Sequence, residues 1–184
     1  FYAIEKFDFL QRNTFPQMRL TQIKQFPIPN SNVEQQNEIA DLVKKIIEEM
    51  AKEAEHFYKA ASKYEPTYYW LDVEEKTMTD MNKGVEAFRA KLAALGAKNI
   101  GIYIGVYFMK EHSVSTDNFT AVWIPTYGTD SGYFESTPVT DLDYDLHQYT
   151  SKGRLVGFDH HLDLNMISLN KNKEETFRKL FLKP

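Results

Sequence analysis

Nine consecutive residues, Ile100-Gly101-Ile102-Tyr103-Ile104-Gly105-Val106-Tyr107-Phe108, carry no charge. A run like this reads as a strand buried on both faces, which is the habit of a parallel sheet covered by helices. The sequence before it supplies the rest of such a unit. Thr79 can cap a helix over 80–95 whose apolar face is Met81, Val85, Phe88, Leu92 and Leu95, and Gly96 is placed to close it as the C′ residue. Ahead of that helix, Tyr68-Tyr69-Trp70-Leu71-Asp72-Val73-Glu74 reads as another strand. Strand, helix, strand makes a βαβ unit, parallel and right-handed by the crossover rule. The expected class is α/β.

The flanking regions extend this pattern. Ser31 and Glu34 form a capping box before a long amphipathic helix, expected from about Val33 to about Ser62. Its apolar stripe runs through Ile39, Leu42, Ile46, Met50, Ala54 and Phe57. Residues 1–30 hold Pro16, Pro27 and Pro29 and favour an extended path. Further strands are expected over 119–125 and 144–150, with a short one over 162–165 and a final helix over 171–181. The organisation read from this is residues 1–50, an extended segment plus the start of the long helix, followed by residues 51–184.

Strand residues two apart share a face, so Asp72 and Glu74 point the same way. Like charges held together resist joint ionisation, and one carboxyl keeps its proton towards neutral pH. A held proton beside a carboxylate can cleave a glycosidic bond. The plain alternative is two solvated acids just past a strand end. Other chemistries are poorly served. With no Cys, thiol and disulfide chemistry is closed. The net charge of −4 argues against a nucleic-acid surface. Asp141, Asp143 and Asp145 fail as a calcium loop, because Leu146 and Lys152 stand where Gly and Glu are needed. Asp159, His160, His161 and Asp163 do not assemble a ligand set, since neighbouring histidines on a strand face opposite ways. No cofactor and no metal are expected. No apolar run reaches membrane-spanning length.

Five runs then fall in order: Trp70-Leu71-Asp72-Val73-Glu74, Ile102-Tyr103-Ile104-Gly105, Ala121-Val122-Trp123-Ile124-Pro125, His147-Gln148-Tyr149-Thr150-Ser151 and Leu162-Asp163-Leu164-Asn165. Over about residues 54–170 the chain resembles the family-25 glycoside hydrolases, the lysozymes common in phage endolysins. The resemblance implies a (β/α) barrel and cleavage of the β-1,4 bond after N-acetylmuramic acid in peptidoglycan. It implies Glu74 as general acid, Asp72 beside it as a helper, and Asp163 as a further active-site acid. Tyr103, Trp123, Gln148 and Tyr149 would line the saccharide groove. Members of that family open with a strand bearing an Asp-x-Ser type acid, which is not recognisable here. A partial barrel with a long N-terminal helix is therefore expected, with impaired activity.

Residues 13–47 resemble something else. Asn13 to Leu20, Phe26-Pro27-Ile28-Pro29 and Glu34 to Ile39 are similar to the tail of a restriction–modification specificity domain, which makes the chain a chimera with a seam near Met50. The rival readings are a non-catalytic relic and a fragment of a DNA specificity subunit. The expected partner is bacterial peptidoglycan, with no nucleic acid and no membrane. The helix stripe and the open sheet edge are where self-association would occur. The N-terminus lacks the form of a signal peptide, so synthesis in the cytoplasm and a substrate in the cell wall are expected.

Overall fold

The computed structural model describes residues 33–183. Asp41–Pro184 form one compact unit, and the sheet lies wholly within it. The capping-box Ser31 and residues 1–30 lie outside the described residues. Helix α1 spans Val33–Ala61, and a 3₁₀ turn at Ser62–Tyr64 closes it. Then come β1 (Tyr69–Val73), α2 (Met81–Ala94), β2 (Ile100–Ile104), α3 (Val106–Glu111) and β3 (Ala121–Pro125). A long loop leads to the hairpin of β4 (Leu146–Leu155) and β5 (Phe158–Ile167), and α4 (Lys173–Phe181) comes last.

The strands form one sheet in the order β1-β2-β3-β4-β5. The first four are mutually parallel and β5 is antiparallel to β4. This is the expected α/β partial barrel of parallel strands, with an antiparallel strand at its end. Among the described residues no strand pairs with the outer edge of β1. Tyr69 N–H bonds the Asn99 carbonyl at 3.0 Å, so by alternation Trp70 and Asp72 turn their backbone groups to the open side.

The two faces of the sheet differ in chemistry. One is aliphatic. Val73, Ile102, Ile104, Val122 and Ile124 are buried there with Met81 and Val85 of α2. Next to them Met50, Ala54, Phe57 and Tyr58 of α1 pack with Tyr69, Phe88, Leu92 and Ile100. Each large side chain buried this way contributes about 1.5–3 kcal/mol. The α1 stripe is thus used from Met50 onward, whereas Leu42 and Ile47 stay 60% and 43% exposed. The other face carries Trp70, Asp72, Tyr103 and Trp123, brought level by the pairs Asp72↔Tyr103 and Tyr103↔Trp123. Its far end is filled by Tyr68, Ala121 and Leu146 under Leu180 of α4.

Three local expectations are corrected. The apolar run does not stay a strand to Phe108. At Gly105 it turns into α3, whose Val106, Phe108 and Met109 pack on the same aliphatic core. A run of apolar residues has no period that separates these outcomes. Asp80, not Thr79, caps α2, accepting from the Lys83 N–H at 3.1 Å. The strands expected over 144–150 and 162–165 are two ten-residue arms of a hairpin. Its outer part is largely exposed, including Leu155, Val156 and Phe158, so burial leaves no mark on the sequence.

Asp145 ties the C-terminal helix to the sheet. It is 5% exposed, accepts the Val122 N–H at 3.1 Å and the Lys179 ammonium at 2.8 Å. Asp145→Ala leaves a buried strand N–H unpaired and is expected to cost about 1–3 kcal/mol. A denaturant midpoint equal to that of the parent chain would contradict this.

Candidate active site

The carboxyl ends of the parallel strands surround a cavity of about 520 Å³. Trp70 and Asp72 come from β1, Glu74 from the residue just past it, Tyr103 from β2 and Trp123 from β3. Gln148 and Asp163 arrive from the hairpin, and Tyr127 from the loop after β3. Of the residues singled out in the sequence, Asp72, Glu74, Asp163, Tyr103, Trp123 and Gln148 are together here. Tyr149 is not. It turns away and packs at 6.0 Å from Phe134 and 6.4 Å from His147, because neighbours on a strand face opposite sides.

The wall is aromatic. Trp123 meets Tyr103 edge-on at 4.8 Å between ring centroids and Trp70 at 5.6 Å. Trp70 in turn stacks on Tyr68 at 5.4 Å. The Trp123 Nε1 donor is buried and has no hydrogen-bond partner among the described residues. Flat rings set edge to face offer a surface on which a sugar ring can lie.

Three carboxyl groups and no cation line the cavity. Burial, and then the neighbouring Glu74 carboxylate, push the Asp72 carboxyl above its ordinary range. The pair therefore holds a proton more readily than two solvated acids would. Tyr103 and Tyr127 share a hydrogen bond of 3.2 Å between their hydroxyls. Burial raises both phenols, Tyr103 strongly; the shared bond raises Tyr103 further and pulls Tyr127 down, and the Glu74 charge adds to the rise of both. Both are protonated at neutral pH and can donate. Asp72→Asn should reveal the cost of the charge. A raised carboxyl destabilises the fold where it is ionised and stops doing so below its unfolded value. The variant should melt above the parent at neutral pH, and the gap should close on acidification through the usual aspartate range. Parallel melting curves with no pH-dependent gap would count against it.

Tyr127 and Trp70 were not among the residues chosen from sequence. Trp70 was legible by parity, since it shares its face with Asp72. Tyr127 had only a positional signal, as the second residue of the loop after β3, at the end of the sheet where (β/α) barrels keep their chemistry. The loop holding it is anchored. Asp130, at φ +56, accepts from Thr150 Oγ1 at 2.7 Å and Ser151 N at 2.8 Å. Those bonds hold its carboxyl down at about 2. His147 Nε2 donates to the Thr126 carbonyl at 2.8 Å, and burial pushes its pKa down.

Comparison with known proteins places this geometry. The sequence profile of glycosyl hydrolases family 25 matches residues 44–158. A glycosyl hydrolase 25 of Streptococcus pneumoniae, described as a virulence factor participating in host cell invasion, is 73% identical with a TM-score of 0.73. The match covers 75% of this chain and 61% of that protein, so the chain spans less than two thirds of its relative's length. The catalytic domain of endolysin ply40, from bacteriophage P40 of Listeria monocytogenes, is 28% identical with a TM-score of 0.57. That match covers 68% of this chain and 60% of the other. The CTP1L endolysin shares the fold at 24% identity and a TM-score of 0.58, over 73% of this chain and 45% of its own. No curated protein sequence matches the chain.

Proposed function

Because the chain belongs to glycosyl hydrolases family 25, we propose that its cavity cleaves the β-1,4 bond after N-acetylmuramic acid in bacterial peptidoglycan. The observation carrying this is a cavity with three carboxyl groups, no cation, and a wall of aromatic rings. Glu74, placed past the end of β1, is the proton donor to the leaving oxygen. Asp72 sits beside it, tunes its charge and orients the substrate's N-acetyl group. Asp163 adds negative charge from the opposite strand, where an oxocarbenium-like transition state gains from it. Tyr103 and Tyr127 supply hydroxyl donors, and Trp123 and Gln148 line the saccharide path.

Among the described residues no strand closes the groove beyond β1, so there the sugar is held on fewer sides than in a closed barrel. That favours slow turnover by this chain alone. The test is release of reducing ends from purified bacterial cell wall. Product ending in N-acetylmuramic acid supports the reading. Release of N-acetylglucosamine ends, or of none at high enzyme concentration, refutes it.

A further inference from the structure

A second cavity, about 560 Å³, is lined by Tyr133, Phe134, Tyr149, Lys152, Arg154 and His161, together with Leu164 and two small residues of the 131–134 loop. Its chemistry is the reverse of its neighbour's. It has two cations and no acid, in a chain of net charge −4. Arg154 Nη2 donates to His161 Nε2 at 3.1 Å, which aims the guanidinium, and among the described residues no carboxylate pairs with it. Lys152 lies 3.8 Å from Asp130, whose oxygens already accept from Thr150 and Ser151. The apolar part is Phe134 and Tyr149, 6.0 Å apart between centroids, with Leu164 beside them.

The two cavities are neighbours along both arms of the hairpin. Gln148 and Asp163 face the acid cavity, whereas Tyr149 and Leu164, the next residues, face this one. One ribbon of strands separates them. The cavities lie on opposite faces of that ribbon, and an extended peptide of four or five residues spans roughly 13–18 Å.

We infer that this second cavity is a subsite for the short carboxylate-bearing peptide carried on the glycan strand. The inference rests on the peptidoglycan reading of the first cavity. Arg154 and Lys152 take the peptide's carboxylates, and Phe134, Tyr149 and Leu164 cover its small apolar side chains. A polyol phosphate offers the charge but nothing for the rings.

The probe is the pentapeptide L-alanyl-γ-D-glutamyl-L-lysyl-D-alanyl-D-alanine, added to the isotope-labelled chain and followed by amide shifts. The expected result is saturable shifts at Tyr149, Lys152, Arg154 and Leu164, weakened by salt. Arg154→Gln, an exposed position, should weaken binding about tenfold or more without changing cleavage of peptide-free glycan strands. Should that variant fail to fold by circular dichroism, the shift map and Lys152→Gln decide. No shifts at millimolar peptide, shifts confined to the acid cavity, unchanged affinity in Arg154→Gln, or equal binding of a glycerol phosphate oligomer would each overturn it. Failure of the glycosidase reading is seen separately, as no cleavage of peptide-free strands by the parent chain.

Discussion

Glu74→Gln is expected to remove essentially all peptidoglycan hydrolysis while leaving the melting temperature close to the parent's. The amide keeps the size of the side chain but has no proton to give, and general acid catalysis is typically worth about 10²–10⁴-fold. The fold should not notice, because Glu74 is exposed and lies beyond the last hydrogen-bonded residue of β1. Asp72→Asn should reduce turnover less, since it alters the charge beside the donor and not the donor itself. The diagnostic result is the order of the two losses. Hydrolysis that survives Glu74→Gln, or falls further with Asp72→Asn, would assign the proton to a different carboxyl.

The second large effect should come from a residue that touches no substrate. Gly101 faces the ring of Trp70, and a Cβ built there lies 2.4 Å from both Cε3 and Cζ3 of the indole. Gly101→Val must push the indole aside. Trp70 packs on Trp123 and Trp123 on Tyr103, so the displacement passes along the wall of the cavity. Overpacking of this kind costs about 1–3 kcal/mol, and a shift of about 1 Å at a positioning group can cost about 10²-fold in rate. Gly105→Ser is the control. Among the described residues a Cβ at Gly105 meets only Phe108 Cβ, at 4.0 Å, and serine suits the N-cap of α3. Equal activity in the two variants would mean that the aromatic wall does not position the substrate.

The parallel sheet was legible because its evidence is redundant. Ile100 to Ile104 needs cover on both faces, the 80–95 periodicity supplies it, and the alternation at Trp70, Asp72 and Glu74 names the face left over. The hairpin was not legible at its true length. Its outer residues, from Lys152 to His161, are largely exposed, so neither arm shows a period. The glycine at its turn, Gly157 at φ +86, was the available mark. The convergence of Asp72, Glu74 and Asp163 follows a similar division. The first two are joined by local geometry that a sequence displays. Asp163 arrives through an antiparallel return with register shifts along β4, and only the resemblance pointed to it. The resemblance named both Gln148 and Tyr149, and alternation along β4 separates them, turning Gln148 into the acid cavity and Tyr149 towards Phe134.

The link between α4 and the sheet has a consequence in time. Tyr68 and Leu180 share one cluster, Lys179 reaches back to Asp145 and Lys183 to Glu65. These contacts join the first strand of the sheet to its last helix. A ribosome adds about 5–20 residues per second, so the emerging strands wait several seconds with one end of their aromatic face uncovered. Loop closure over such separations is slow compared with helix formation. The far end of the aromatic face is therefore covered only once α4 has been made.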